Sequence, residues 1–357
     1  MALGGLLGTL LLAAGAVCLG SGCSTVGYYA QAAGGHLEMM RLARPVPEVV
    51  ADPATPDALK KRLELSQRMR DFAVSELKLP DNNSYRRYAD LKRDAVVWNV
   101  VAAPELSLTL KTWCFPIMGC VGYRGYFTQA EAGALAAELQ AQGLETRVYG
   151  VPAYSTLGWS NWLGGDPLLN TFLDWPEIEL ARLVFHELAH QVAYAADDTT
   201  FNESFATAVE RIGGRRWLER FGSDEQRRRA ESVERRRADF RELTQRYRGL
   251  LQAAYAAPGD EASRRAEKAR LMQALRADHQ ALKQGPWMGF AGYDEWFRQA
   301  NNASFGVLAA YTELVPQFER LYEAQGSDFE RFYAAVRELA ALPKEQRRAG
   351  LAAGTGP

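Results

Sequence analysis

The chain has 357 residues, 47% of them hydrophobic and 24% charged, with 42 basic against 43 acidic side chains. These values are typical of a folded protein with one large or two medium-sized domains, and they exclude disordered, collagen-like and polytopic membrane proteins. The formal net charge of −1 gives no overall electrostatic footprint for nucleic acid, so we predict no nucleic-acid partner. With only four cysteines, the chain is not a small disulfide-rich scaffold.

The N-terminus has the pattern of an export signal. Residues 3–22 contain no charged side chain, and this length suits a signal-peptide apolar region better than a membrane span. The segment ends in Leu19-Gly20-Ser21-Gly22-Cys23, which resembles the lipobox of bacterial lipoproteins. The resemblance implies a signal peptide over residues 1–22, lipidation of Cys23, and a membrane-anchored protein facing the periplasm. Ser24 after the cysteine favours the outer membrane, and an uncleaved N-terminal anchor helix is the alternative.

Two cysteines remain in the body of the exported chain. Cys114 and Cys120 flank a turn-like stretch, and an oxidising compartment makes them candidates for a disulfide. A metal clamp is less favoured, because the five-residue gap is wide and no second cysteine pair exists.

The rest of the chain divides into a mixed half and a helical half. Predicted elements of the first half are a helix over 57–79, strands over 95–101, 106–113 and 121–127, a helix over 128–142, a strand over 144–150 and a helix over 177–195. No strand is predicted after residue 201, and residues 223–284 are predicted to form a long helical hairpin that turns at 257–260. We therefore expect a predominantly helical α+β protein, with a core over residues 24–212 and a helical region over 213–357.

The first arm of the hairpin is basic. Residues 211–250 contain 13 Arg against 7 acidic side chains. A solvated helix face with ion pairs four residues apart, such as Glu231 with Arg235, is favoured over a patch for anionic lipid.

One motif carries the chemistry, the segment His186-Glu187-Leu188-Ala189-His190. Residues i and i+4 lie on one face of a helix, so both imidazoles can bind a single Zn²⁺. Glu187 is rotated about 100° from His186 around the helix, which places its carboxylate beside the metal, where it can accept a proton from the attacking water. We therefore predict one zinc ion per chain and Glu187 as general base. The alternative is a buried helix whose histidines only form hydrogen bonds.

A catalytic zinc site needs a third protein ligand and an open fourth position. No third histidine follows nearby, so the metzincin pattern is excluded, and Glu203 is the best candidate because it completes a His₂Glu set. Its alternative role is structural, since Thr200 and Glu203 have the spacing of a helix capping box. Glu210, seven residues further on, is the second choice as ligand.

In the segment from His186 to His190 and at Asn202-Glu203, the chain resembles the gluzincin clan of zinc peptidases. It resembles more closely the bacterial putative aminopeptidase family of exported zinc peptidases. The matching segments are 114–127, 153–159, 166–171, 185–210 and 301–311. The resemblance implies a zincin-like core and a metallopeptidase activity, aminopeptidase in particular. Thermolysin-like enzymes have an Asp that orients a zinc histidine where this chain has Thr207, so Asp197, Asp198 or Glu210 would have to replace it.

Other site residues are predicted on weaker patterns. Tyr154, Tyr194, Tyr311 and His279 could each donate a hydrogen bond to the oxyanion, and the family resemblance favours Tyr311 as a catalytic residue. The stretch 153–158 is predicted to pair with the substrate backbone as an edge strand, through Tyr154, Ser155 and Gly158.

Together, these predictions indicate an exported zinc peptidase that acts on peptides, and an aminopeptidase is the preferred interpretation. Two alternatives stay open at this point. A zinc endopeptidase of the cell envelope would have the same motifs, and a non-enzymatic lipoprotein scaffold would use the hairpin as an interaction arm. Composition and motifs leave the oligomeric state open.

Overall fold

The computed structural model describes residues 23–115, 119–153 and 164–354. The described chain is mostly helical and has three small β-sheets, which confirms the predicted class of a predominantly helical α+β protein. The strands are β1 (Arg44–Pro45), β2 (Arg87–Ala89), β3 (Val97–Pro104), β4 (Trp113–Phe115), β5 (Gly119–Val121), β6 (Arg124–Tyr126), β7 (Leu144–Val151) and β8 (Leu168–Leu169). Within the described ranges, no helix combines the length and apolar character needed to cross a membrane.

Helices surround these sheets, and every regular element after β8 is a helix in the described chain. Those of the first half are α1 (Cys23–Leu42), α2 (Val46–Ala51), α3 (Asp57–Ser75), α4 (Gln129–Ala141), α5 (Asn170–Leu173) and α6 (Glu177–Ala189). Those of the second half are α7 (Thr199–Phe221), α8 (Asp224–Ala256), α9 (Glu261–Gln284), α10 (Asp294–Gln299), α11 (Asn302–Thr312), α12 (Val315–Ala324), α13 (Phe329–Ala341) and α14 (Lys344–Ala353).

Strand β3 is the centre of the largest sheet, whose order is β6-β3-β7 with antiparallel neighbours. Successive side chains of a strand point to opposite faces. Val100 and Ala102 accordingly pack against α4, while Val101 and Ala103 pack against Ala303 of α11. Because both faces are covered, the strand is apolar without alternation.

The main hydrophobic core is built around the pair α6 and α7. Helix α6 buries an apolar stripe at helical spacing, which includes Leu180, Val184 and Leu188. Helix α7 contributes Phe201, Phe205, Val209 and others to the same cluster. The two helices approach closely at Gly213, where a Cβ would lie 2.9 Å from the ring of Phe185. This close packing fixes the position of α7 relative to the motif on α6.

The predicted helical hairpin is confirmed as α8 and α9, with residues 257–260 at the turn. It has its own apolar cluster, to which α10 and α11 also contribute. On its first arm, Arg237 pairs with Glu179 of α6 and Arg248 with Glu313 after α11, both outside the hairpin. Arg228, Arg229 and Arg235 of the same arm are exposed. The expected pair Glu231–Arg235 is absent from the ion pairs of the described ranges.

Several predicted boundaries were wrong. Residues 106–112 form no strand. On the edge of β3 that β6 leaves unpaired beyond Val100, only Lys111 N–H reaches the strand, in a single backbone hydrogen bond to Ala102 O, and no ladder forms. The predicted strand 121–127 is split into β5 and β6, and the helix predicted over 57–79 ends at Ser75. The helix predicted over 177–195 ends at Ala189, because the Asn202 side chain binds both the N–H and the C=O of Ala195 and turns the chain into α7. The boundary predicted at 212/213 falls inside α7, and the division into domains stays a prediction.

The N-terminus of α7 is fixed by a buried ion pair. The N-cap residue Asp198 accepts a hydrogen bond from Phe201 N–H at 3.2 Å and another from Arg347 of α14 at 2.9 Å, while Arg348 binds the same carboxylate. Burial by itself would raise the pKa of Asp198, but the hydrogen bonds and charges of Arg348 and Arg347 outweigh it and lower the pKa.

We expect Asp198→Ala to lower the free energy of unfolding by about 3–5 kcal/mol, because it leaves the guanidinium of Arg347 buried without its partner. Asp260→Ala is the matched control, since Asp260 is also an N-cap that accepts from the third amide but lies on the surface. Its loss should be about 1 kcal/mol. Denaturant unfolding of both variants measures the difference, and equal losses would contradict the role given to the ion pair.

Candidate metal centre

The motif lies on the last turn and a half of α6. Pro176 is the N-cap residue of this helix, and Glu177 and Glu179 lie in its first turn. Acidic side chains at this end interact favourably with the helix dipole. The four-residue spacing within the motif brings the rings of His186 and His190 together, with centroids 4.9 Å apart. Both histidines are 8% exposed, so the imidazoles face the interior and not solvent.

Helix α7 brings Glu203 to the same point. Its Oε2 lies 3.4 Å from His186 Nε2 and 3.6 Å from His190 Nε2, and the two Nε2 atoms are 3.2 Å apart. The N-cap of α7 is Asp198, so the predicted capping box of Thr200 with Glu203 is not formed. Glu203 therefore faces the histidines instead of its own helix.

These three donor atoms fit a metal ion. His186, His190 and Glu203 form a group that could hold one, with all ligand atoms within 4.8 Å of one another. Donors bonded at about 2.0–2.1 Å to a tetrahedral Zn²⁺ lie about 3.3–3.4 Å apart, which is close to the observed triangle. The site also favours a bound cation, because it combines a carboxylate with two imidazole nitrogens that can each offer a lone pair.

Glu210 orients the first histidine. His186 Nδ1 lies 3.1 Å from Glu210 Oε2, and Glu210 Oε1 accepts from Arg182 Nε at 2.9 Å. Burial would raise the pKa of Glu210, but His186 and Arg182 outweigh it and lower the pKa to about 2. A carboxylate on Nδ1 leaves Nε2 of His186 available as a ligand atom. Glu210 therefore occupies the orienting role for which Asp197, Asp198 and Glu210 were the candidates.

This carboxylate is in turn part of a chain of charges. Arg182 also binds Glu234 of the hairpin at 3.4 Å, and Glu234 accepts from Arg241 at 3.0 Å. The hairpin thus supports the orientation of His186 through alternating charges. Neither Arg182 nor Glu234 could be identified from sequence, because both lie in ordinary helical charge patterns.

Glu187 lies next to the group without joining it. It is 7% exposed, and no hydrogen bond to its carboxylate is found in the part of the chain that the structure describes. Burial is the main cause that raises the pKa of Glu187, with the charges of Glu203 and Asp166 adding to it and the two histidines opposing it. A buried carboxylate with a raised pKa and free oxygens is suited to accept and return a proton.

Four tyrosines surround Glu203. Burial, followed by the charge of Glu203, raises the pKa of Tyr123, Tyr194 and Tyr311. Burial also raises the pKa of Tyr149 to about 12, although a hydrogen bond with Asn99 opposes it. The ring of Tyr311 stacks on that of His186, with centroids 6.3 Å apart and planes at 20°. All four phenols stay protonated at neutral pH and can donate hydrogen bonds.

The structure places the other predicted residues as follows. Tyr154, Ser155 and Gly158 lie outside the described residues. His279 lies in the cluster of the hairpin, with its ring stacked on Phe297, and therefore does not join the tyrosines around Glu203. A disulfide joins Cys114 to Cys120 and links β4 to β5. Tyr123 and Tyr149 were missed, because nothing in their local sequence distinguishes them from core tyrosines.

We expect Glu210→Ala to weaken the binding of Zn²⁺, used as the probe ion, by about 10- to 100-fold, because His186 loses the carboxylate that orients it. Glu319→Ala is the control, since Glu319 contacts Arg211 and Arg215 of the same helix α7 but no histidine. Competition with a chelator of known affinity measures both. Unchanged affinity in Glu210→Ala would contradict the orienting role.

The family model described as "Putative aminopeptidase" matches residues 27–351, a span that includes α6, α7 and the tyrosines. No curated protein and no solved structure matches this chain. Because the family match spans most of the chain, this protein belongs to the putative aminopeptidase family.

Proposed function

We propose that the protein is a zinc-dependent peptidase that removes residues from the amino end of peptides. The observation that carries this proposal is the triangle of His186 Nε2, His190 Nε2 and Glu203 Oε2, with the unbonded carboxylate of Glu187 beside it. The family description supports a peptidase of the aminopeptidase type. A helix with two histidines followed by a helix with a glutamate is also the arrangement of a zincin-like core.

His186, His190 and Glu203 would hold the zinc ion, which leaves a fourth position for water or substrate. When bound, zinc lowers the pKa of a coordinated water and polarises the scissile carbonyl. The protein orients these ligands by the hydrogen bond from His186 to Glu210.

Glu187 is the general base in this proposal. Its carboxylate takes a proton from the attacking water and delivers it to the leaving amine, so the same group acts as base and then as acid. Burial suits it to both steps, because a raised pKa brings the carboxylate closer to neutral pH.

Tyr311 is the best candidate to stabilise the negative charge that develops on the carbonyl oxygen. It stacks on His186, and its hydroxyl is kept protonated by burial and by the charge of Glu203. A donor placed before the reaction at the site of developing charge costs no reorganisation during the step. Tyr123 and Tyr149 lie within the influence of the same carboxylate, whose charge adds to burial in raising the pKa of each.

We also propose that the protein is exported and anchored to the periplasmic face of a membrane through a lipid on Cys23. The apolar segment over residues 3–22 and the lipobox-like sequence before Cys23 support this location. The disulfide between Cys114 and Cys120 is in keeping with an oxidising compartment.

Glu187→Gln should abolish peptide hydrolysis, with a loss of at least about 100- to 10,000-fold in kcat, because the amide cannot accept the proton. Its zinc affinity should stay within about threefold of wild type, since Glu187 is not among the three ligands. The control is Glu179→Gln, which changes a glutamate on the same helix that pairs with Arg237.

Hydrolysis of aminoacyl-nitroanilides and of short peptides measures activity, and chelator competition measures the metal. Activity that survives in Glu187→Gln would contradict the proposed mechanism. Loss of activity in Glu179→Gln as large as that in Glu187→Gln would show that the effect is not specific to the base.

A further inference from the structure

A cavity of about 290 Å³ reaches the candidate metal centre through Tyr311, whose ring stacks on His186, although none of the three proposed ligands lines it. The tyrosines around Glu203 form one wall, of which Tyr123, Tyr149 and Tyr311 line the space. Apolar side chains form a second wall, including Val101, Leu108 and Leu110. The volume lies near the lower end of ligand sites, which suits one or two amino-acid residues rather than a long chain.

The charges on the wall of the cavity are largely compensated. Asp198 is bound by Arg347 and Arg348, and Glu313 lies 3.5 Å from Arg248. Asp197 differs, because no basic side chain of the described ranges lies within 4.0 Å of its carboxylate. Lys344 also lines the cavity and has no acidic partner within this distance, and it is exposed, as Asp197 is.

The carboxylate of Asp197 is held in place. Its Oδ1 accepts a hydrogen bond from Cys120 N–H at 2.6 Å, on the hairpin closed by the disulfide. Gly119 permits this approach, since a Cβ there would lie 2.3 Å from the same oxygen and the backbone has a φ of +71°. Asp197 itself has a φ of +62°, a region that non-glycine residues rarely adopt. One oxygen thus accepts from the backbone, and no hydrogen bond to the other oxygen is found in the described ranges.

One tyrosine of the cavity wall connects it to the metal centre. Tyr311 stacks on His186 and also lines the cavity. A molecule that fills the cavity therefore contacts both Asp197 and the ring that stacks on His186.

We propose that this cavity binds the free amino end of the substrate, with the α-ammonium group on Asp197 Oδ2 and apolar side chains against Val101, Leu108 and Leu110. An ammonium group carries a positive charge and hydrogen-bond donors, and it can therefore pair with this carboxylate, which has no cationic partner in the described ranges. This inference rests on the proposed peptidase function and gives it a direction, because recognition of a free amine restricts the enzyme to the amino end of a peptide.

The test uses the full-length protein with Glu187→Gln, so that no ligand is hydrolysed. Leucine amide and N-acetyl-leucine amide are titrated, and the NMR signal of the Cys120 amide, which donates to Asp197, reports binding at this carboxylate. We expect leucine amide to bind at least about tenfold more tightly than its acetylated form, and Asp197→Asn to remove this difference. Asn keeps the acceptor for Cys120 N–H, so the fold should be retained.

The matched control is Glu313→Gln, which changes a carboxylate at the rim of the same cavity that is already paired with Arg248. It should leave the preference for the free amine unchanged. Equal binding of both ligands to the protein with intact Asp197, or a preference that survives Asp197→Asn, would overturn the proposal. If the preference depends on Asp197 but the zinc-loaded wild type hydrolyses no peptide, the amine site stands and the peptidase function fails.

Discussion

The convergence of two imidazoles and one carboxylate within a buried space is the constraint on which the rest of the structure depends. His186, His190 and Glu203 come from two different helices, so their distances are set by the packing of α6 on α7. That packing relies on the apolar stripe of α6 and on Gly213, where no side chain separates the helices. Since buried polar groups need partners, the core must provide either a cation or protons at this point.

The hairpin of α8 and α9 has a role in this constraint. Arg237 of the hairpin pairs with Glu179 of α6, and Glu234 continues the series from Glu210 through Arg182. A carboxylate that orients a ligand must itself be held, and here a helix far along the chain holds it. On the disulfide hairpin, Cys120 N–H in turn donates to the carboxylate of Asp197. The centre is thus supported by elements that carry none of its ligands.

The residues of the histidine motif were predictable because their arrangement depends only on the local geometry of a helix. Four-residue spacing on a helix brings His186 and His190 together in any context, and the hairpin turn at 257–260 has its own local signals. The position of Glu203 was inferred from chemistry, while its distances to the histidines depend on tertiary packing. Tyr149 and Arg182 could not be predicted, since long-range packing brings them to the site. Residues 106–113 were predicted as a strand from their pattern, but only Trp113 belongs to one, since Lys111 alone makes a backbone hydrogen bond to β3.

The most direct test of the account is the metal content of the purified protein, with Glu203→Ala and Glu319→Ala beside the wild type. The account predicts one zinc ion per chain in the wild type and in Glu319→Ala, and none in Glu203→Ala, because two histidines alone form an incomplete site. Folding of each variant is checked by circular dichroism. A folded wild type that takes up no zinc when the ion is supplied, or a Glu203→Ala variant that keeps it, would contradict the assignment of these three residues as ligands.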